Sequence, residues 1–276
     1  MRRVYVIADL EGVAGMSDFD HRDDRVPGLV WRRDRGLSLW AEEVNAAVAG
    51  AREAGAADVL VLDNHGPGDG LPAHDMRPPA RLIHGRSRTT WLPCLDDSSD
   101  AVIFVGQHAM AGTPEGHLCH TYSRRRLRSV RLNGAEIGEI GIAGAIAGEH
   151  GVPVAFLSGD DKAVEELGSV CPQAEGVAVK QGLSRLSCVS MPPSQARDAI
   201  RTGVARALSR VEAMAPVIGP RPARISLQYA TRDAWRAPMR MLRSCFCERW
   251  VGWGRVVVRG ETVQEAWDRA IGLRRG

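Results

Sequence analysis

Short apolar runs, each closed by polar residues, set the rhythm of the first half of the chain. The first is Val4, Tyr5, Val6, Ile7 and Ala8, ended by Asp9. β-Branched and aromatic residues in so short a run predict a buried strand. A second run covers residues 59–62 and ends at Asp63. A third covers 101–105 and leads to His108, and a fourth, VPVAFLSG, ends in Asp160 and Asp161. LSLWAEEVNAAVAGAREAGA, between the first two, is Ala-rich and sets Leu39, Glu43, Ala46, Ala47, Gly50 and Ala54 at helical spacing, so it predicts a helix closed near Gly55. The arginine-rich stretch over 17–35 predicts a long loop. SVRLNGAEIGEIGIAGAIAGEHG predicts a strand, an Asn-Gly turn and a helix of small and apolar residues. Apolar runs separated by helices of this size predict βαβ units: an α/β fold with a mostly parallel sheet and flanking helices over residues 1–170.

The texture changes after about residue 170. GVAVKQG, ARISLQYA and ERWVGWGRVVVRG read as strands, and PPSQARDAIRTGVARALSRV and TVQEAWDRAIGLRR as amphipathic helices. Residues 171–276 are therefore expected to form a smaller α+β part packed on the first. The sequence holds no internal repeat and no low-complexity tract.

Composition narrows the function classes. A chain of 276 residues with 44% hydrophobic and 25% charged residues can bury a core and is not a disordered protein. It lacks the run of about 18 apolar residues that a transmembrane helix needs. A net charge of +3, from 36 basic and 33 acidic residues, argues against a nucleic-acid or membrane partner. Only Lys162 and Lys180 are lysines. The densest basic run, Arg124, Arg125, Arg126, Arg128 and Arg131, reads as a solvated strand or loop face. Six cysteines contain no Cys-x-x-Cys pair, which argues against a zinc ribbon. MRRVYVIADLEG carries no small-residue cleavage site, so the thiols are expected to be free in a reducing cytoplasm. Cys245 and Cys247 would share one face of an extended segment, and no function is attached to them.

The chemistry lies in where the polar residues fall. Asp9 and Glu11 follow the first strand, Asp63 and His65 the second, His108 the third, and Asp160 and Asp161 the fourth. In open α/β sheets ligands bind outside the carboxyl ends of the strands. Singly, each residue fits a turn or a helix cap: Asp63-Asn64-His65-Gly66 is a good turn, and Asp160-Asp161 a good cap. Together they collect carboxylates and imidazoles along one sheet edge, the donor types of a zinc site. A pair of ions needs a bridging carboxylate, and Asp9 can supply two oxygens. Glu139 sits among small and apolar residues near a helix start, where a buried carboxylate needs a partner. Spacing does not choose between it and Glu136. His108, His117 and His120 lie on a loop after the third strand and could move a proton or steady an oxyanion.

At these residues the sequence resembles the zinc-dependent D-aminopeptidases, the DppA-like metallopeptidases. The matching pieces are Asp9-Leu10-Glu11-Gly12, the helix with Glu42-Glu43-Val44-Asn45, Asp63-Asn64-His65, Gly106-Gln107-His108-Ala109, Thr113-Pro114, Gly138-Glu139-Ile140-Gly141 and Gly159-Asp160-Asp161. Val179-Lys180 and Ser184-Arg185 extend the match, whose order and spacing hold over about 1–190. The resemblance implies two Zn²⁺ ions per chain, with Asp9 bridging, Glu11 and His65 completing one side, and His108 and Glu139 the other. It places the catalytic histidine on His120, with His117 a competitor because the Pro114–His120 loop holds one extra residue. It implies a substrate that is a short peptide with an N-terminal D-amino acid, and a homo-oligomer, a decamer of two stacked pentamers. The alternatives are a same-site amidohydrolase acting on a specialised biosynthetic intermediate, a two-metal phosphoester hydrolase, and a non-enzymatic binding protein on the same scaffold.

Overall fold

The computed structural model describes residues 2–20, 27–233, 235, 249–250 and 254–273. Its elements run β1 (Arg2–Ala8), α1 (Pro27–Glu53), β2 (Ala56–Asp63), β3 (Ala80–Ile83), β4 (Ala101–Gln107), β5 (Leu127–Leu132), β6 (Ala135–Glu136), α2 (Glu139–Glu149), β7 (Val154–Asp160), α3 (Asp161–Val170), β8 (Glu175–Ser184), β9 (Ser187–Ser190), α4 (Pro193–Ser209), β10 (Ala223–Tyr229), β11 (Arg249–Trp250), β12 (Arg255–Gly260) and α5 (Val263–Ile271).

Among the described residues the larger sheet has the order β3-β2-β1-β4-β7-β8-β9. Every pairing in it is parallel except the β8–β9 hairpin, as the α/β reading expects. Side chains alternate across a strand, and here both faces are covered. Val4, Val6 and Ala8 of β1 pack with Trp40, Val44 and Val48 of α1 and with Ile200 and Val204 of α4. Tyr5 and Ile7 belong to the opposite core, shared with Ile140 and Ile146 of α2. Burial on both faces is why these strands read as continuous apolar runs. A second, antiparallel sheet, β11-β12-β10-β5-β6, adds Val130, Ile225, Leu227 and Val258 to that opposite core, and α5 adds Trp267. The sheets interleave along the chain: residues 127–136 belong to the smaller one and 175–190 to the larger.

The long loop expected over 17–35 is shorter than that, because α1 already begins at Pro27. Proline suits a first helical position, where its missing N–H costs nothing. The turns that follow hold exposed Arg32, Asp34 and Arg35, so no apolar stripe announced them. The edge strands β3 and β9 were not expected either; both are four residues long and half exposed. Cys245 and Cys247 lie outside the described residues.

The topology fixes where a ligand can sit. From β1 the chain steps to β2 and β3 on one side, then returns to β4 on the other. The carboxyl ends of β1 and β4 therefore border the switch point, where a crevice opens.

Candidate metal centre

Two glycines bring those strand ends into contact. Asp9 N–H donates to the Val105 carbonyl at 2.8 Å, and Gly12 N–H to the Gly106 carbonyl at 2.7 Å. A Cβ on Gly106 would lie 2.1 Å from the Asp9 carbonyl oxygen, and one on Gly12 2.1 Å from that of Gln107. Gly106 also has φ +71°, a conformation glycine adopts without penalty. The loop after β1 is clamped from below by Lys180 of β8. Its buried Nζ donates to the carbonyls of Glu11, Val13 (3.2 Å) and Met16 (3.0 Å).

The loop and its neighbours deliver five side chains to one point. Asp9 Oδ1 lies 3.2 Å from His65 Nδ1, and Asp9 Oδ2 lies 3.4 Å from His108 Nε2. Glu11 Oε2 lies 3.0 Å from the same His65 nitrogen. Glu139 Oε1 lies 3.5 Å from His108 Nε2. Asp9 thus stands between the two imidazoles, with Glu11 beside one and Glu139 beside the other. All five residues are buried. Glu139 is the first residue of α2, where the helix dipole favours an anion, and Tyr122 N–H donates to its Oε1 at 2.7 Å. Glu136, its competitor in the sequence, lies on the surface in β6 and pairs with Arg131 at 2.9 Å.

The donor set fits a metal. His108 Nδ1 donates to the Ala109 carbonyl at 2.9 Å, so in the neutral ring Nε2 carries a lone pair. That buried Nε2 has no hydrogen-bond partner and faces the carboxylates of Asp9 and Glu139. A lone pair aimed at two anions calls for a cation beside it, either a proton on Nε2 or a metal ion. The charges give the same answer. Burial opposes charge on Asp9, yet His108 and His65 hold its pKa well below the usual carboxylate range. Burial pushes Glu139 up to about 7, His108 opposing and Asp9 and Glu11 adding to the rise. Burial opposes charge on the imidazoles, yet surrounding carboxylates hold both His65 and His108 well above the usual value. Donor atoms of Asp9, Glu11 and His108, and of His108, His120 and Glu139, lie within 4.8 Å of one another. Carboxylate oxygen and imidazole nitrogen in this mixture are zinc ligands, and would also accept Mn²⁺ or Co²⁺.

The two loop histidines part company. His120 stacks on His108, with ring centroids 3.9 Å apart and planes at 17°. Its Nδ1 donates to the Leu118 carbonyl at 3.0 Å, which leaves Nε2 as an acceptor. Burial and the neighbouring His108 lower its pKa to about 4, so the ring is neutral near pH 7. His117 is fully buried, its pKa also pulled down to about 4, by burial and Lys180. It does not line the cavity that contains His120.

The remaining polar strand ends serve the backbone. Asp63 Oδ2 accepts the N–H groups of Gly70 (2.7 Å) and Leu71 (2.8 Å) and so folds the loop that carries His65. Asp160 is the N-cap residue of α3 and accepts from His117 N–H, while Asp161 accepts from Gly182 N–H. Sequence reasoning missed Asp20, whose buried carboxylate lies 3.4 Å from His65 Nε2 and 3.3 Å from Arg33. It also missed the clamp made by Lys180, although a buried lysine in a chain that otherwise uses arginine was a signal.

Asp9, Glu11, His65 and Glu139 open onto a cavity of about 1030 Å³, which His120, Tyr122, Arg88 and Arg124 also line. Such a volume suits a small ligand.

Known proteins resemble this chain over nearly its whole length. The family model Peptidase M55, described as D-aminopeptidase, matches residues 1–267. A D-aminopeptidase of Bacillus subtilis (strain 168) is 31% identical over 229 residues, covering 83% of this chain and 81% of that protein. The solved structure of the Zn-dependent D-aminopeptidase DppA from Bacillus subtilis, a self-compartmentalizing protease, superposes with a TM-score of 0.89 at 28% identity. That match covers 98% of this chain and 96% of the other.

Proposed function

This chain belongs to the D-aminopeptidase family and is a hydrolase of that family, and from that premise we propose a zinc enzyme with two ions per chain that removes an N-terminal D-amino acid from short peptides. The observation that carries the reading is the meeting of Asp9, Glu11, His65, His108 and Glu139 at the switch point of the sheet. Asp9 would be the carboxylate shared between the ions, with Glu11 and His65 the residues that would hold one and His108 and Glu139 those that would hold the other. When bound, the ions supply Lewis acidity, acidifying water and polarising the scissile carbonyl.

The chain's own groups do the rest. His120, neutral and with Nε2 free to accept, takes the proton of the attacking water and returns it to the leaving amine. The Leu118 carbonyl fixes its tautomer, and the stack on His108 fixes its plane. Lys180 holds the loop of Asp9 and Glu11 in register.

The zinc-dependent, self-compartmentalizing relative supports the zinc assignment and self-association; the assembly we propose is a homo-oligomer of two stacked pentamers. The β8–β9 hairpin, which exposes Leu183, Leu186 and Val189, offers apolar surface for self-association. Cys94, Cys119, Cys171 and Cys188 are free thiols, which suits the cytoplasm. The test is hydrolysis of paired D- and L-alanyl dipeptides by zinc-loaded protein. Turnover of the D-peptide supports the reading. Turnover of phosphate esters alone, or of neither dipeptide, overturns it.

A further inference from the structure

The cavity above the metal centre carries a second set of charges that metal binding does not use. Arg88, Arg124, Arg125 and Arg126 line it together with Asp9, Glu11 and Glu139. Three of these arginines stand on one pinned turn. Arg126 N–H and Leu127 N–H both donate to the Ser123 carbonyl, and the Arg126 carbonyl accepts Ala230 N–H at 2.8 Å. The segment starts from Tyr122, whose N–H grips Glu139. Arg124 is therefore two residues along the chain from a contact with the metal centre.

Its side chain is positioned as well. The Arg124 guanidinium sits 4.3 Å from the centroid of the Phe19 ring, and Phe19 meets His120 edge-on at 5.9 Å. One aromatic ring separates this cation from His120. Arg88 is held by two neutral acceptors, the Asp63 carbonyl and Asn64 Oδ1 at 3.5 Å. Arg86, by contrast, is neutralised by Asp69 at 2.5 Å. Among the described residues no carboxylate forms an ion pair with Arg88 or Arg124. Both are partly buried, and burial holds both guanidinium groups below their ordinary range. Glu11 and Asp18 act on Arg124, and Asp63 on Arg88, only through space; half-buried cations with no carboxylate in direct contact are costly, and a guanidinium fork matches a carboxylate.

Resting on the reading above, we propose that Arg124 and Arg88 form an anion subsite for the C-terminal carboxylate of a short peptide whose first amide lies at the metal centre. At about 3.5 Å per residue, the carboxylate of a dipeptide or tripeptide lies about 4–8 Å beyond the scissile carbonyl. A longer chain carries its charge past the subsite, so the arginines select for length as well as charge. Arg125 and Arg126, exposed at the mouth of the same cavity, draw anionic substrates in.

The experiment compares D-Ala-D-Ala, its C-terminal amide, and D-Ala-Asp amide, whose carboxylate is on a side chain. In the zinc-loaded wild type, kcat/KM for the free acid should exceed that for the amide by about ten- to a hundredfold, the worth of one good charge-assisted pair. The difference should lie in KM, and in Arg124→Ala the acid-to-amide ratio should fall below about threefold. Equal rates for acid and amide in the wild type, or a ratio unchanged in both Arg124→Ala and Arg88→Ala, overturn the subsite. Full rescue by D-Ala-Asp amide overturns its assignment to the C-terminus.

A second measurement separates this subsite from the function it rests on. Reduced-bond analogues of D-Ala-D-Ala, in acid and amide form, cannot be hydrolysed. A rise in Tm with the acid form that is lost in Arg124→Ala supports the subsite even if no dipeptide is cleaved. Equal shifts, or none, overturn it.

Discussion

The imidazole of His120 lies parallel to that of His108, centroids 3.9 Å apart, with its Nε2 directed away from the Leu118 carbonyl that fixes the other nitrogen. One ring is a metal ligand in this account and the other moves the proton. His120→Ala should therefore lower kcat by about 10²–10⁴ while zinc content by elemental analysis stays at the wild-type level. Loss of zinc in that variant would make His120 a ligand instead.

Lys180 clamps the loop that presents Asp9 and Glu11. Lys180→Met leaves three carbonyl oxygens without their buried donor, a loss of at least about 2 kcal/mol. Urea unfolding of the zinc-free protein should show a lower midpoint with an unchanged m-value. The variant should also bind zinc more weakly, because the loop loses its support.

The close approach of the two strand ends depends on Gly106. Gly106→Ala combines a positive φ with a Cβ 2.1 Å from the Asp9 carbonyl, so it should destabilise strongly and displace Asp9. Gly112→Ala has a positive φ but nothing within 4 Å. It should cost only about 1 kcal/mol. Thermal unfolding of the two variants side by side checks the difference.

Glu43 is buried in α1 and accepts Ala14 N–H at 2.8 Å. Burial raises its pKa from 4.5 to about 7. The unfolded chain releases this proton near pH 4.5 and the folded chain near pH 7, so between those values the folded state holds more protons. Stability must then fall as pH rises through that window, by up to about 3 kcal/mol from this group. Glu43→Gln keeps an oxygen for Ala14 and removes the titration. Its stability relative to wild type should improve from pH 4.5 to pH 7, read by denaturant midpoints across that range.

What was legible in the sequence follows from local physics. Strands β1, β2, β4 and β7 were readable because both faces are buried, so each is a short apolar run with a polar stop. The same stops carry Asp9, His65 and His108. Glu139 could not be told from Glu136 by spacing, because the difference is tertiary: α2 turns the first into the crevice and β6 leaves the second on the surface. The start of α1 was hidden by its exposed, arginine-rich face. The run at Arg124, Arg125 and Arg126 read as a solvated face, and Arg125 and Arg126 are exposed; that the same run borders the cavity is tertiary and has no local signal. Lys180 could not be assigned because its acceptors are backbone carbonyls more than 160 residues away.

The most direct test is the zinc stoichiometry of the purified protein and of Asp9→Ala after equilibration with zinc and removal of excess. Asp9 stands between His65 and His108, where it would be the carboxylate shared by the two ions we propose. The account predicts two ions per chain in the wild type, and fewer than one, with no peptide hydrolysis, in the variant. Two ions retained in Asp9→Ala, or none bound by the wild type, would contradict it.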